Sequence, residues 1–246
     1  MRLRERHAFY RAILRSLAAA EIPHLIGGAF AMKHYAGVER DTKDLDVFIK
    51  RDRAEEVVKL FRRGGYAARI VARHWLGKIR KGDAYVDLIF SSRNGICVVD
   101  DAWFERAEAG RYLGLPTNFV PPEEMIWSKA FVMARDRFDG GDIAQLIRAR
   151  GRSLDWELVL RRFGAHWPIL FVHVVLFTYT FPSESAAVPS WIRAELERRW
   201  RKQRSAGRGG RRICRGPLLS PPEYLQDIGP RGYLDVRRPD VKREGA

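Results

Sequence analysis

Two carboxylates one residue apart, Asp44 and Asp46, stand at the head of the apolar run Leu45-Asp46-Val47-Phe48-Ile49. On a β-strand, side chains alternate faces, so both acids project to one side while Leu45, Val47 and Ile49 face a core. Like charges held that close repel, and burial makes both ionised forms costly. A divalent cation between them removes that cost, and Mg²⁺ is typically held by one or two carboxylates together with substrate phosphates. The chemistry indicated is phosphoryl-group transfer.

A second run, Ala84-Tyr85-Val86-Asp87-Leu88-Ile89-Phe90, carries one acid in the middle of a strand-like pattern. If this strand lies beside the first, Asp87 joins Asp44 and Asp46 in a triad. Two metal ions ~3.5–4 Å apart, bridged by such carboxylates, activate an attacking hydroxyl and stabilise a leaving oxygen. Upstream, Ile22-Pro23-His24-Leu25-Ile26 runs into Gly27-Gly28 and then a segment of helical composition. Glycines at a strand-to-helix junction let backbone N–H groups approach an anion, and the helix start adds partial positive charge. A triphosphate is the natural guest.

Gly27-Gly28, Asp44-x-Asp46 and Asp87, in that order, resemble the nucleotidyltransferase superfamily (polymerase-beta-like). Arg40-Asp41-Thr42-Lys43-Asp44-Leu45-Asp46 is similar to the branch that holds antibiotic nucleotidyltransferases and the nucleotidyltransferase toxins of abortive-infection systems. Glu124 and Lys129 match that branch's Glu-x-x-x-x-Lys helix, and residues 135–143 resemble the segment that follows it. The resemblance is carried by residues 20–90 and extends more weakly to about 200. It implies transfer of a nucleoside monophosphate from an NTP to an RNA end, a protein or a small molecule, with release of pyrophosphate. Asp44, Asp46 and Asp87 would be catalytic and would hold two Mg²⁺ ions, with Mn²⁺ an alternative. Gly27, Gly28, Arg40 and Lys129 would bind the nucleotide. The competing readings are a catalytically silent nucleic-acid-binding module, or a toxin of a toxin–antitoxin pair using the same chemistry.

The elements that position these residues fall into an α+β order. Phe9, Ile13, Leu14 and Leu17 give a helical period over residues 2–20. Arg53–Arg63 reads as an amphipathic helix ended by Gly64-Gly65. Tyr66–Ala72, Trp75–Arg80 and Ala84–Phe90 read as strands; the last two are separated by a Lys81-Gly82-Asp83 turn, and spacing so close favours antiparallel pairing. A mixed sheet flanked by helices is expected over residues 1–120. Pro122-Glu123-Glu124 opens a helical region, 121–200, with further helices at 143–149, 156–163, 167–180 and 191–200. Residues 201–246, rich in Gly, Arg and Pro, are expected to be a weakly ordered basic tail, with Leu218 to Leu225 as apolar anchors.

The 246 residues suffice for one sizeable domain or two small ones. The net charge of +15, from 45 basic and 30 acidic residues, makes nucleic acid a candidate partner beside the NTP. Cys97 and Cys214 fit no disulfide or metal pattern, and residues 1–6 lack the apolar core of a secretory signal, so a cytoplasmic setting is expected. The uncharged run Trp167–Phe181 falls short of the ~20 residues that span a bilayer. It is expected to be a buried helix, with no membrane partner.

Overall fold

The computed structural model describes residues 2–205 and 211–244. It divides into two compact units: residues 2–121 together with Asp240–Glu244, and Pro122–Pro239.

The first unit is built on a seven-stranded mixed sheet in the order β3-β4-β5-β2-β1-β7-β6. Its strands are β1 (Leu25–Ile26), β2 (Asp44–Phe48), β3 (Ala67–Ala72), β4 (Leu76–Lys81), β5 (Ala84–Ile89), β6 (Glu108–Tyr112) and β7 (Leu115–Phe119). The expected meander is present: β3, β4 and β5 pair antiparallel in sequence order, and Gly82 at φ +62 makes the tight turn between the last two. β5 then lies parallel to β2, and β2 antiparallel to β1.

Around this sheet run α1 (Leu3–Ala19), α2 (Gly28–Ala36), α3 (Ala54–Arg63) and α4 (Asp101–Glu105). The helical period read from α1 is met by burial of Phe9, Ile13, Leu14 and Leu17. α3 packs Val57, Val58 and Phe61 inward and lies along β3 and β4. Leu45, Val47, Val86, Leu88 and Ile79 form the apolar side of the central strands, each 0% exposed. On the opposite side Phe48 stacks on Trp103 of α4, with ring centroids 5.5 Å apart. That contact closes one end of the face on which the acids stand.

The hairpin β6–β7 is an addition that the sequence patterns did not reveal. Its strands carry Gly110 and Pro116, which suppress the usual strand signal, and its turn is Leu113-Gly114, both at positive φ. β7 joins the sheet by pairing parallel with β1, Ile26 opposite Phe119.

The second unit holds α5 (Pro122–Ala130), α6 (Gly140–Arg150), α7 (Trp156–Phe163), α8 (Trp167–Thr180) and α9 (Ser190–Ser205). Trp156–Thr180 is a helical run of 25 residues, long and apolar enough by length and composition to cross a membrane. Gly164, at φ +47, divides it into α7 and α8. The 14 residues of α8 measure ~21 Å, short of the ~30 Å of a bilayer core. α8 is not buried all round, as its composition suggested. Leu170, His173, Val174 and Phe177 face inward, while Val172, Val175, Leu176 and Tyr179 are exposed.

Of the 201–246 segment, residues 206–210 and 245–246 lie outside the described residues. Residues 211–244 contain only short elements: β8 (Ile213–Cys214), β9 (Leu234–Asp235), α10 (Pro221–Tyr224) and α11 (Pro239–Glu244), with 3-10 turns between. Leu218 is a buried anchor, as its composition indicated, and Val241 is a second.

Candidate active site

The central acids are set by strand register. β2 and β5 run parallel with Asp44 opposite Tyr85, Leu45 opposite Val86, and Asp46 opposite Asp87. Residues two apart share a face, so Asp44, Asp46 and Asp87 leave the sheet on one side while Leu45, Val47, Val86 and Leu88 enter the core. All three acids are half-buried.

Each acid has a local device that orients it. Thr42 donates its hydroxyl to Asp44 Oδ1, a contact within the Arg-x-Thr-x-Asp segment. The Asp46 carbonyl accepts from the Gly27 N–H at 3.0 Å, tying the glycine turn to the strand. Gly28 opens α2 at φ +55, and a Cβ there would lie 1.7 Å from Asp46 Oδ2. Only glycine satisfies both that backbone angle and that approach. The first N–H groups of α2 therefore start directly beside the Asp46 carboxylate. At Gly27 a Cβ would meet the Phe48 ring at 2.3 Å, so this glycine serves close packing.

Asp87 has a partner that sequence reading missed. On β4, Lys78 is the register partner of Asp87, and its Nζ lies 2.8 Å from Asp87 Oδ1. Burial raises the Asp87 pKa; the Lys78 ammonium opposes that rise, and the Asp44 charge adds to it. The signal for Lys78 was available. Closing the Lys81-Gly82-Asp83 turn as a hairpin and counting back places Lys78 across from Asp87.

The donor set suits a hard divalent cation, since all three groups are carboxylates on one face and Asp87 remains penalised for its charge despite Lys78. As they stand, no three acid, histidine or cysteine groups among the described residues are gathered closely enough to grip an ion. The Lys78 ammonium occupies the cationic role at Asp87.

Arg40 lies exposed between α2 and β2. Lys129 belongs to the second unit, on α5, where its Nζ is 2.9 Å from Asp139 and 2.7 Å from Asp142. Asp139 also accepts from Arg137 Nε at 2.9 Å. Burial works against ionisation of Asp139, but the bonds from Arg137 and Lys129 outweigh it and hold its carboxyl below the ordinary range. Asp142 lies inside α6, and Asp139 takes the cap position. Glu124 lies in the first turn of α5, as the Pro122-Glu123-Glu124 start indicated, but it is 0% exposed and bound to Arg162 at 2.7 Å. Arg162 in turn covers the Trp127 ring at 4.9 Å. These pairs bind α5 to α6 and α7.

No protein-family model matches the chain, and no curated protein matches it by sequence. Solved structures offer looser likenesses. ANT(2'')-Ia in complex with adenylyl-2''-tobramycin is 16% identical, with a TM-score of 0.44, covering 71% of this chain and 98% of that one. The lincosamide antibiotic adenylyltransferase LnuA, lincomycin-bound, is 15% identical, with a TM-score of 0.42, covering 58% and 95%. JHP933 from Helicobacter pylori is 13% identical, with a TM-score of 0.43, covering 82% and 96%. Likenesses this loose transfer no residue's role, and the site stands on its own geometry.

Proposed function

We propose that the chain is a divalent-metal-dependent nucleotidyltransferase that moves a nucleoside monophosphate from an NTP to an acceptor and releases pyrophosphate. The observation that supports it most is the in-register pair Asp46 and Asp87, with Asp44 on the same face and the Gly28 turn packed on Asp46. Three acids on one face, with burial working against the charge of Asp87, serve little purpose in a fold unless a cation meets them.

Asp44, Asp46 and Asp87 would hold Mg²⁺, or Mn²⁺ in its place. When bound, the cation supplies charge neutralisation for the phosphates and acidifies the attacking hydroxyl. The N–H groups following Gly27 and Gly28 bind and orient the triphosphate. The acceptor oxygen forms a bond to the α-phosphorus as the bond to the oxygen bridging the α- and β-phosphorus breaks. The leaving electron pair departs with pyrophosphate, and the acceptor's proton passes to the Asp87 carboxylate. Positioning and charge compensation supply most of the rate. Arg40, exposed and near β2 in sequence, enters as a phosphate contact. Lys129 would have to leave Asp139 and Asp142 to take that role. NTP use and the free thiols of Cys97 and Cys214 fit a cytoplasmic setting.

Thermal melting with Mg²⁺ and each of the four NTPs tests the binding half of this reading. Nucleotide at a hundred times its Kd stabilises by about 2.7 kcal/mol. That is a rise of roughly 5–11 °C for a chain of this size. The double variant Asp44→Asn/Asp46→Asn should lose the rise. A melting curve that millimolar nucleotide leaves unmoved, or moves equally in the variant, would overturn the proposal.

A further inference from the structure

Sheet order puts the two flanks of the acid triad in different chemical surroundings. On the β1 side stands the glycine turn, already matched to one triphosphate. On the β5 side, β4 and β3 continue the same face with cations. Register pairs Asp46 with Asp87, Asp87 with Lys78, and Lys78 with Arg69. The adjoining row runs Asp44, Tyr85, Arg80, Ala67. Arg69 and Arg80 are exposed, and Lys78 and Tyr85 are half-buried. Lys78 Nζ and the Arg80 guanidinium lie 5.4 and 5.8 Å from the Tyr85 ring centroid. The cationic end of the first row, Lys78 to Arg69, spans one strand spacing of ~4.8 Å, and Arg80 in the adjoining row widens it beside Tyr85.

We infer that the acceptor is a single-stranded polynucleotide end, laid over β5, β4 and β3 with its phosphates on Lys78, Arg69 and Arg80 and a base on Tyr85. The inference rests on the nucleotidyltransferase reading, and names the acceptor for the same site. Cations along one sheet face with an aromatic ring among them supply what a sequence-tolerant strand binder needs: charge for the backbone and a flat face for a base. A cationic acceptor would meet three like charges before reaching Asp87. The terminal hydroxyl of a strand held this way arrives next to Asp87, the group proposed to take its proton. The oxygen–α-phosphorus bond then forms there while pyrophosphate leaves toward the glycine turn.

Binding of a short 3′-hydroxyl oligonucleotide, fluorescently labelled at its 5′ end, to the full chain across a salt series tests this. RNA and DNA of one base order form separate arms, and binding of either supports the inference. Arg69→Ala/Arg80→Ala should lower the slope of log affinity against log salt by about 1.4, since each phosphate contact in a single strand contributes about 0.7. Arg69→Lys/Arg80→Lys should restore the slope, which a merely structural role for the guanidinium groups would not allow. Tyr85→Ala should weaken binding at least about fivefold, with Tyr85→Phe retaining it. Failure to bind either oligonucleotide, or an Ala variant with the wild-type slope, would overturn the inference. Nucleotide-dependent melting separates the two levels. A nucleotide-induced rise without strand binding removes only the acceptor assignment, and a missing rise removes the nucleotidyltransferase reading beneath it.

Discussion

Asp46 on β2 and Asp87 on β5 are register partners across two parallel strands, so their carboxylates rise from one pleat a strand spacing apart. The pairing is fixed by what lies between: Leu45 opposite Val86 and Val47 opposite Leu88, all fully buried on the other face. A slip of one residue would drive Asp87 into the core and Leu88 into the site, so the apolar face enforces the acid one. The stabilising side of the sheet thereby carries the electrostatic strain of its functional side.

That strain predicts a gain from neutralising Asp87. Its folded pKa is raised, chiefly by burial, so its ionised form costs stability that persists at neutral pH. Asp87→Asn should therefore melt higher than wild type in the absence of added metal and nucleotide, while losing nucleotidyl transfer. A lower melting temperature would show that the Lys78 pair outweighs the burial cost.

Gly28 tolerates no side chain. With φ at +55 and the Asp46 carboxylate in the space of a Cβ, Gly28→Ala should cost about 1 kcal/mol for backbone conformation alone. It should also displace Asp46 and abolish the nucleotide-induced melting rise. Gly65→Ala, another glycine at positive φ but with nothing within 4 Å of its Cβ, is the control: similar backbone cost, nucleotide response kept.

Lys129 answers a question about the second unit. Removing one partner from a buried ion cluster costs about 3 kcal/mol. For a chain of this size that is a fall of roughly 6–12 °C in Tm. Lys129→Ala should show that fall and retain the melting rise with Mg²⁺-nucleotide at temperatures where it is folded. Loss of the nucleotide response in folded variant would instead return Lys129 to the phosphates.

Acid titration should separate the two units by sign. Asp139 has a depressed folded pKa, so its stabilisation is complete above the ordinary carboxylate value of about 3.9 and disappears as pH falls through the folded value. Asp87 has a raised one, so its contribution is present below about 3.9 and disappears as pH rises through the folded value. Chemical denaturation against pH should show Asp139→Asn with a shallower acid loss than wild type, and Asp87→Asn with a steeper one.

The Asp44–Asp46 pair, the glycine turn and the β3–β4–β5 meander were legible because they rest on local signals: period-two alternation, a glycine pair and a short turn; that Asp87 joins the pair depends on the β2–β5 pairing, which alternation does not fix. Mixed α+β architecture followed from the same patterns. The β6–β7 hairpin was not, since its strands contain Gly110 and Pro116 and its membership of the sheet depends on a single distant pairing, Ile26 with Phe119. Nor could the burial of Glu124 be read, because its partner Arg162 lies 38 residues away. Lys78 stood between these cases: visible from hairpin register, but inconspicuous as one lysine in a basic chain.

The central claim is transfer of the α-phosphoryl with its nucleoside, and labelled NTP tests it most directly. The full chain is incubated with Mg²⁺, a 3′-hydroxyl oligonucleotide, and NTP labelled either at the α- or at the γ-phosphate. The account predicts acceptor labelled only from the α-position, γ-label recovered in pyrophosphate, and neither in Asp44→Asn/Asp46→Asn. Acceptor labelled from the γ-position, or α-label transferred undiminished by the double variant, would contradict it.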